Sequence, residues 1–248
     1  MTYSGLLMLI ITVAVSRILF GERERTWALI VLPALIVALV VTLTRSAWVG
    51  AITGISFLFI LKNLRLFSVV PIAAALFIVA APTHIADRVY SIFDLQDPTN
   101  RDRLAMVLAG TGMVQDHPLT GVGPEMVQVV YADYRPPEGV NLVNQHLHNV
   151  PLQIAAERGV PALAIWIWFI VAVVIDLTKR FRHPLSRAPA AAGLAAVASM
   201  LTAGMFEYNF GDSEFLMLLL VLITLPASAA VLNPSESHRE PPRQTRSE

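Results

Sequence analysis

The sequence contains no cysteine, which excludes disulfides and thiolate metal sites and leaves the redox compartment open. Charge is scarce too. Only 15% of the 248 residues are Asp, Glu, Lys or Arg, against about a quarter in soluble domains. The two signs cancel to a net charge of zero, so bulk electrostatics imply no nucleic-acid partner. The apolar N-terminal run has no basic stretch before it and no small-residue cleavage site, so it reads as a membrane span and not as a cleaved leader. No internal repeat is evident.

What is present is apolar sequence, 55% of the chain with a mean hydropathy of +0.62. It comes in blocks of about 16 to 20 residues, the length that crosses a hydrocarbon core. The expected fold class is therefore all-α, a polytopic helical membrane protein of about seven transmembrane helices with one large external loop of short helices. Four helices are expected in 1–81, the loop in 82–159, three helices in 160–232 and a disordered cytoplasmic tail in 233–248. Thr44-Arg45-Ser46 splits an apolar run too long for one helix, which puts Arg45 at a hairpin tip and Trp48 at interfacial depth. The basic turns at Arg23/Arg25, Lys62/Arg65 and Lys179–Arg187 would face the cytoplasm, leaving Arg45, the acidic loop and EYNFGDSE (207–214) outside. The ionisable residues nearest the spans, Arg17, Arg45, Asp176 and Glu207, lie at span ends, which argues against a transporter or channel.

The loop carries the polar chemistry. Leu104, Val107, Leu108 and Thr111 recur at helical spacing and predict an amphipathic helix over Asp102–Asp116. Arg45 reads either as a snorkelling topology marker or as a planar donor fork for an anionic head group. Arg88, Arg101, Arg103 and Arg135 either pair with nearby carboxylates, Arg103 with Asp102 or Asp87 for instance, or join Arg45 around a pyrophosphate. Gly121 and Gly123 in GVGP lack the strand and third glycine of a nucleotide loop and read as a structural turn. His146 and His148 offer two imidazoles with no cysteine and no HExxH helix, so no metal is expected. Asn149 is a good N-cap, Pro151 suits the first turn, Gly159 suits a C-terminal cap and Pro161 follows it. These residues frame a helix over Val150–Arg158 with His148 immediately before its positive end, where a neutral imidazole is favoured. Such a ring is either a hydrogen-bonded loop residue or a general base for a hydroxyl.

Read together, Arg103, His117-Pro118-Leu119, Gly121-Val122-Gly123-Pro124, Tyr131/Tyr134 and His148-Asn149…Leu152-Gln153…Glu157…Gly159 resemble the signature region of the O-antigen ligase and polymerase superfamily. Thr44-Arg45-Ser46-Ala47-Trp48 resembles that superfamily's element between two short spans, and Ala162 departs from the last motif position. The resemblance covers 27–168. It implies transfer of a glycan from undecaprenyl pyrophosphate to an acceptor hydroxyl on the outer face of the bacterial inner membrane, with the main loop periplasmic. The acceptor is the lipid A core for a ligase or another glycan for a polymerase of O-antigen or exopolysaccharide. It further implies an inverting enzyme without cofactor or metal, with His148 as the base. Arg45 and Arg103 would bind pyrophosphate; Arg88, Arg101 and Arg135 match less securely. His146, Asn149, Gly121, Gly123 and Gly159 belong to the supporting motif. Members of the family have more spans than this chain, so the resemblance implies a C-terminal part, with a truncated, non-catalytic membrane subunit as the alternative.

Overall fold

The computed structural model describes residues 2–21, 25–92, 94, 96–137 and 139–231. Among the described residues the chain is all-helical, without strands. The helices are α1 (Thr2–Phe20), α2 (Arg25–Val41), α3 (Arg45–Lys62), α4 (Val69–Ala80), α5 (Thr83–Tyr90), α6 (Pro98–Asp116), α7 (Val127–Tyr134), α8 (Val150–Phe181), α9 (Arg187–Ala203) and α10 (Ser213–Val231). The tail 233–248 and Arg23 of the first basic turn lie outside the described residues.

The expectation of about seven spans is corrected. Among the described residues, three helices are long and apolar enough to cross a membrane, α1, α3 and α8, while Arg25–Val41, Leu64–Ala80 and Ser213–Ser228 are shorter apolar helices. The physical reason is that apolar runs are longer than the helices they make. Leu64–Ser68 winds as a 3₁₀ turn before α4, and α9 stops at Ala203 before the turn that holds Met205. α9 is also built largely of alanine and is buried inside the bundle, so hydropathy is not what places it.

α9 packs against α1, α3, α8 and α10, with Ala190, Ala191, Ala195, Ala196 and Met200 fully enclosed. Close approach comes from Gly50 and Gly54, four residues apart on α3. A Cβ at Gly50 would lie 3.0 Å from the Ser199 carbonyl, and one at Gly54 would lie 2.7 Å from Thr12 Cγ2. Small residues at this spacing let helices pack without a hydrophobic driving force from lipid. Much of α2 is exposed and α4 has no buried residue, as expected of apolar surface facing lipid.

The ends of the bundle differ. At one, Lys62 Nζ donates to the Leu19 carbonyl at 2.8 Å and Phe20 meets Phe181 edge-on. At the other, the loop folds around a second core of Met106, Ala109, Met113, Val127, Tyr131, Leu147 and Ala156. α6 is longer than the amphipathic pattern suggests and presents the opposite face. Ala105, Met106, Ala109, Gly110 and Met113 are buried, whereas Leu104 and Leu108 are exposed. Gly110 explains the reversal, since a Cβ there would fall 2.6 Å from Leu147. The small-residue face can dock closely where the leucine face cannot. Trp48 is also buried, and its Nε1 donates to the Leu39 carbonyl at 3.0 Å, closing the α2–α3 hairpin.

Candidate active site

α8 is two helices in one line of chain. It starts where the sequence places it, with Asn149 Oδ1 accepting the Leu152 amide at 2.9 Å, and it breaks at Gly159 (φ 81°). The exposed carbonyls of the first segment are met by the GVGP loop. Val122 N donates to Ala156 O at 2.8 Å, Gly123 N to Glu157 O at 3.0 Å, and Val160 N to Pro118 O at 2.8 Å. Gly121 and Gly159 both have positive φ, and a Cβ at either would collide with the opposing backbone. The two glycine motifs are thus the two halves of one lock, which satisfies helix-end carbonyls that would otherwise be orphaned.

The same segment fixes the histidine loop. Gln153 Oε1 accepts the Leu147 amide at 2.7 Å, and Gln153 Nε2 donates to Glu157 Oε1 at 2.8 Å. Val150 N donates to Gly204 O at 2.7 Å and Asn149 Nδ2 to Met205 O at 3.2 Å. These bonds tie the loop to the α9–α10 turn. Between them His148 adopts φ 48°, a conformation that costs a non-glycine residue of order 1–3 kcal/mol and persists only where its surroundings impose it.

That backbone brings His148 Nδ1 to 2.9 Å from Glu207 Oε1. Glu207 was legible in the sequence only as an acid at a span end; nothing local distinguishes it from Asp212 or Glu214. Burial raises the Glu207 carboxyl, but the His148 hydrogen bond, the two imidazoles and the Tyr208 amide outweigh it and hold the carboxyl below its ordinary value. The His146 ring stands edge-on to His148, centroids 4.2 Å apart. Burial, then the charge of His148, pushes His146 below the usual imidazole range against the pull of Glu207. Among the described residues, His146, His148 and Glu207 are the group with three metal-type donors close together, their ligand atoms within 4.8 Å of one another. The 2.9 Å bond already engages His148 Nδ1 and one carboxylate oxygen.

The arginines divide. Arg45 is 5% exposed, donates to Ser91 O at 2.9 Å and Ser91 Oγ at 3.0 Å, and pairs with Asp97 at 3.4 Å. Asp97 also caps α6 through the Thr99 and Asn100 amides, so Arg45 anchors the start of the helix that carries Arg103. Arg88 Nε reaches the Leu43 carbonyl at 3.4 Å. Arg103 is half-buried, and among the described residues it makes no hydrogen bond or ion pair. Asp102, one of the carboxylates the sequence offered it, is buried elsewhere, accepting from Asn141 N, Asn141 Nδ2 and Asn144 Nδ2. Burial pushes the Arg103 guanidinium down, and Arg45 and Arg88 add to this while Glu207 and Asp97 oppose it. Arg45, Arg88, Asp97 and Glu207 therefore all lie within electrostatic reach of Arg103. Arg101 is exposed, and Arg135 donates to the Gly139 and Asn141 carbonyls at 2.7 and 3.3 Å; neither is among the charges that act on Arg103.

An imidazole held by a carboxylate at one nitrogen can take a proton at the other, and a guanidinium with free donors, as Arg103 is among the described residues, can hold an oxyanion. No curated protein matches the chain. A family model described as O-antigen ligase matches residues 28–167, a stretch that runs from α2 through the arginines, the GVGP loop, the histidines and the break in α8. It covers more than half of the 248 residues, and the chain belongs to the O-antigen ligase family of membrane enzymes that join lipid-linked glycans to acceptors.

Proposed function

We infer that the chain transfers a glycan from undecaprenyl pyrophosphate to an acceptor hydroxyl of the lipid A core, on the outer face of the bacterial inner membrane. One observation carries the reading. His148 Nδ1 is held by Glu207 at 2.9 Å, which leaves Nε2 as the nitrogen that can work; Glu207 in turn lies within electrostatic reach of Arg103. Glu207 accepts from Nδ1–H and so fixes the tautomer whose Nε2 is a base.

In the proposed step the acceptor oxygen attacks the anomeric carbon from the face opposite the carrier, giving inversion. Its proton goes to His148 Nε2. The bond from the anomeric carbon to the pyrophosphate oxygen breaks, and the carrier keeps that electron pair. Arg103 and Arg88 meet the charge that grows on the leaving pyrophosphate, with Arg45 holding the segment that positions Arg103. Cations already fixed in place where charge develops stabilise the transition state without reorganising at the moment of reaction. The working end of the bundle is the periplasmic one in this reading, with the Lys62 and Lys179–Arg187 end in the cytoplasm.

The test is glycan attachment in a strain lacking its own ligase. Expression of the wild-type chain, with whatever subunits it requires, restores polymer on the lipid A core, whereas His148→Ala at equal membrane abundance does not. Attachment at the wild-type level by His148→Ala would remove the base from the account.

A further inference from the structure

α6 is apolar on two opposite faces. One carries the buried Ala105, Met106, Ala109, Gly110 and Met113, of which Met106, Ala109 and Met113 join the core of the loop. The other carries Leu104, Val107, Leu108 and Thr111 at the i, i+3, i+4, i+7 spacing of a helical stripe. There Leu104 is 63%, Leu108 54% and Val107 39% exposed. The Thr111 hydroxyl donates to the Val107 carbonyl at 2.7 Å, so it leaves no unmet donor on this face. Single apolar residues are normal on a surface, whereas an apolar stripe on a helix already packed on its other side marks an interaction face.

The two ends of α6 decide what that face meets. At its start, the N-cap Asp97 pairs with Arg45 at 3.4 Å. Arg45 is the first residue of α3, a helix long and apolar enough to cross a membrane. At its end the chain passes through the C-cap His117 to Pro118, whose carbonyl accepts the Val160 amide at 2.8 Å. Val160 opens the apolar stretch of α8, just past Arg158 and the break at Gly159. Both anchors lie at the end of the bundle opposite Lys62 and Phe181. A 19-residue helix is about 28 Å long, so standing upright it would hold its two ends at very different heights. Tied at the mouths of two spans, it lies along the membrane boundary.

We propose that α6 is an interfacial helix whose Leu104–Val107–Leu108 face is seated in the leaflet at this end of the bundle, at the boundary between head groups and acyl chains. An amphipathic helix in the plane of the membrane buries its apolar face in this way. Arg101, exposed one turn before Leu104, suits the same depth: its stem lies along apolar surface while its guanidinium meets a lipid phosphate. The seated face also sets the height of the loop, because α6 carries the loop core on its other side. The proposal rests on the membrane placement of α3 and α8 and is independent of the transfer chemistry.

The absence of cysteine makes the test direct, since a single introduced thiol takes a spin label without competition. Leu104→Cys and Leu108→Cys are labelled in the whole protein, reconstituted in bilayers of phosphatidylethanolamine and phosphatidylglycerol. Ile165→Cys on the exposed face of α8 is the lipid reference, and Ala132→Cys on the exposed face of α7 is the water reference. Power-saturation EPR compares collisions with oxygen, which concentrates in lipid, and with a nickel chelate, which stays in water. Labels at 104 and 108 should behave as the label at 165 does, with oxygen collisions exceeding nickel collisions. Should either leucine variant fail to fold, Thr111→Cys reports on the same face. Nickel collisions dominating at 104 and 108, as at 132, would overturn the proposal. So would labels shielded from both reagents, or broadened by a second label nearby, because protein and not lipid would then cover the stripe.

Discussion

Replacing Glu207 by glutamine keeps the side chain's size and changes only what it can offer His148. The carboxylate accepts from Nδ1–H at 2.9 Å, which reserves Nε2 as the base. Glutamine can present its amide NH₂ to Nδ1 instead, so the ring moves its proton to Nε2 and becomes a donor where an acceptor is required. The expected loss is that of general-base catalysis, of order 10²–10⁴ in kcat. The arginine cluster still holds the donor, so the KM for lipid-linked glycan stays within about threefold of wild type. Glu207→Asp recovers part of the rate, since it restores an acceptor set back by one methylene. The assay is transfer in proteoliposomes with purified donor and acceptor, read together with ¹⁵N-histidine spectra that report the His148 tautomer. Wild-type kcat in Glu207→Gln, or an unchanged tautomer accompanied by lost activity, refutes the reasoning.

Arg103→Lys keeps the charge but loses the planar fork that matches phosphate oxygens. Transfer should fall about tenfold or more while folding is unaffected; undiminished transfer by Arg103→Ala would remove Arg103 from the pyrophosphate site. Gly159→Ala forces a side chain to φ 81° and into the Leu119 carbonyl, costing at least about 1–3 kcal/mol from backbone strain. It should lower the melting temperature and unseat the GVGP loop, seen as new proteolysis near 118–124; wild-type stability would contradict the lock. Gly54→Leu has no room against Thr12 Cγ2 at 2.7 Å and Ala195 O at 3.2 Å and should separate α3 from α9, with loss of the folded protein from membranes. His146 is held below its ordinary value near 6.5, so on acidification the unfolded chain takes up that proton before the folded one does. The stability the neutral ring contributes is present above about pH 6.5 and is lost as pH falls through the folded value. Melting temperature should fall from pH 7 to pH 5, and His146→Gln should flatten that slope; parallel slopes would contradict the assignment.

The local features of the site were legible because they follow from short-range rules. Asn149, Pro151, Gly159 and Pro161 each restrict the backbone at their own position, and together they placed the start and the break of α8 within one residue. What lay 59 positions away did not follow. Glu207 is one of several acids near the last turn, and only the bonds from Val150 to Gly204 and from Asn149 to Met205 bring that turn to His148. Of the two readings open for Arg103, pairing with Asp102 fails because adjacent residues point to different sides of a helix; Asp102 caps the loop at Asn141 and Asn144 instead. Hydropathy misjudged α6 and the number of spans for one reason. Apolarity identifies what avoids water, whereas packing between helices is chosen by size, as Gly50, Gly54, Gly110 and the alanines of α9 show.

The central claim is that a carboxylate-held imidazole beside an arginine cluster performs the transfer. Single-turnover kinetics in proteoliposomes test it most directly, with donor binding measured separately on the same preparation. The account predicts that His148→Ala binds undecaprenyl-pyrophosphate-linked glycan with wild-type affinity and transfers it at least about a thousandfold more slowly. Transfer at a comparable rate, or loss of donor binding in place of chemistry, would contradict it.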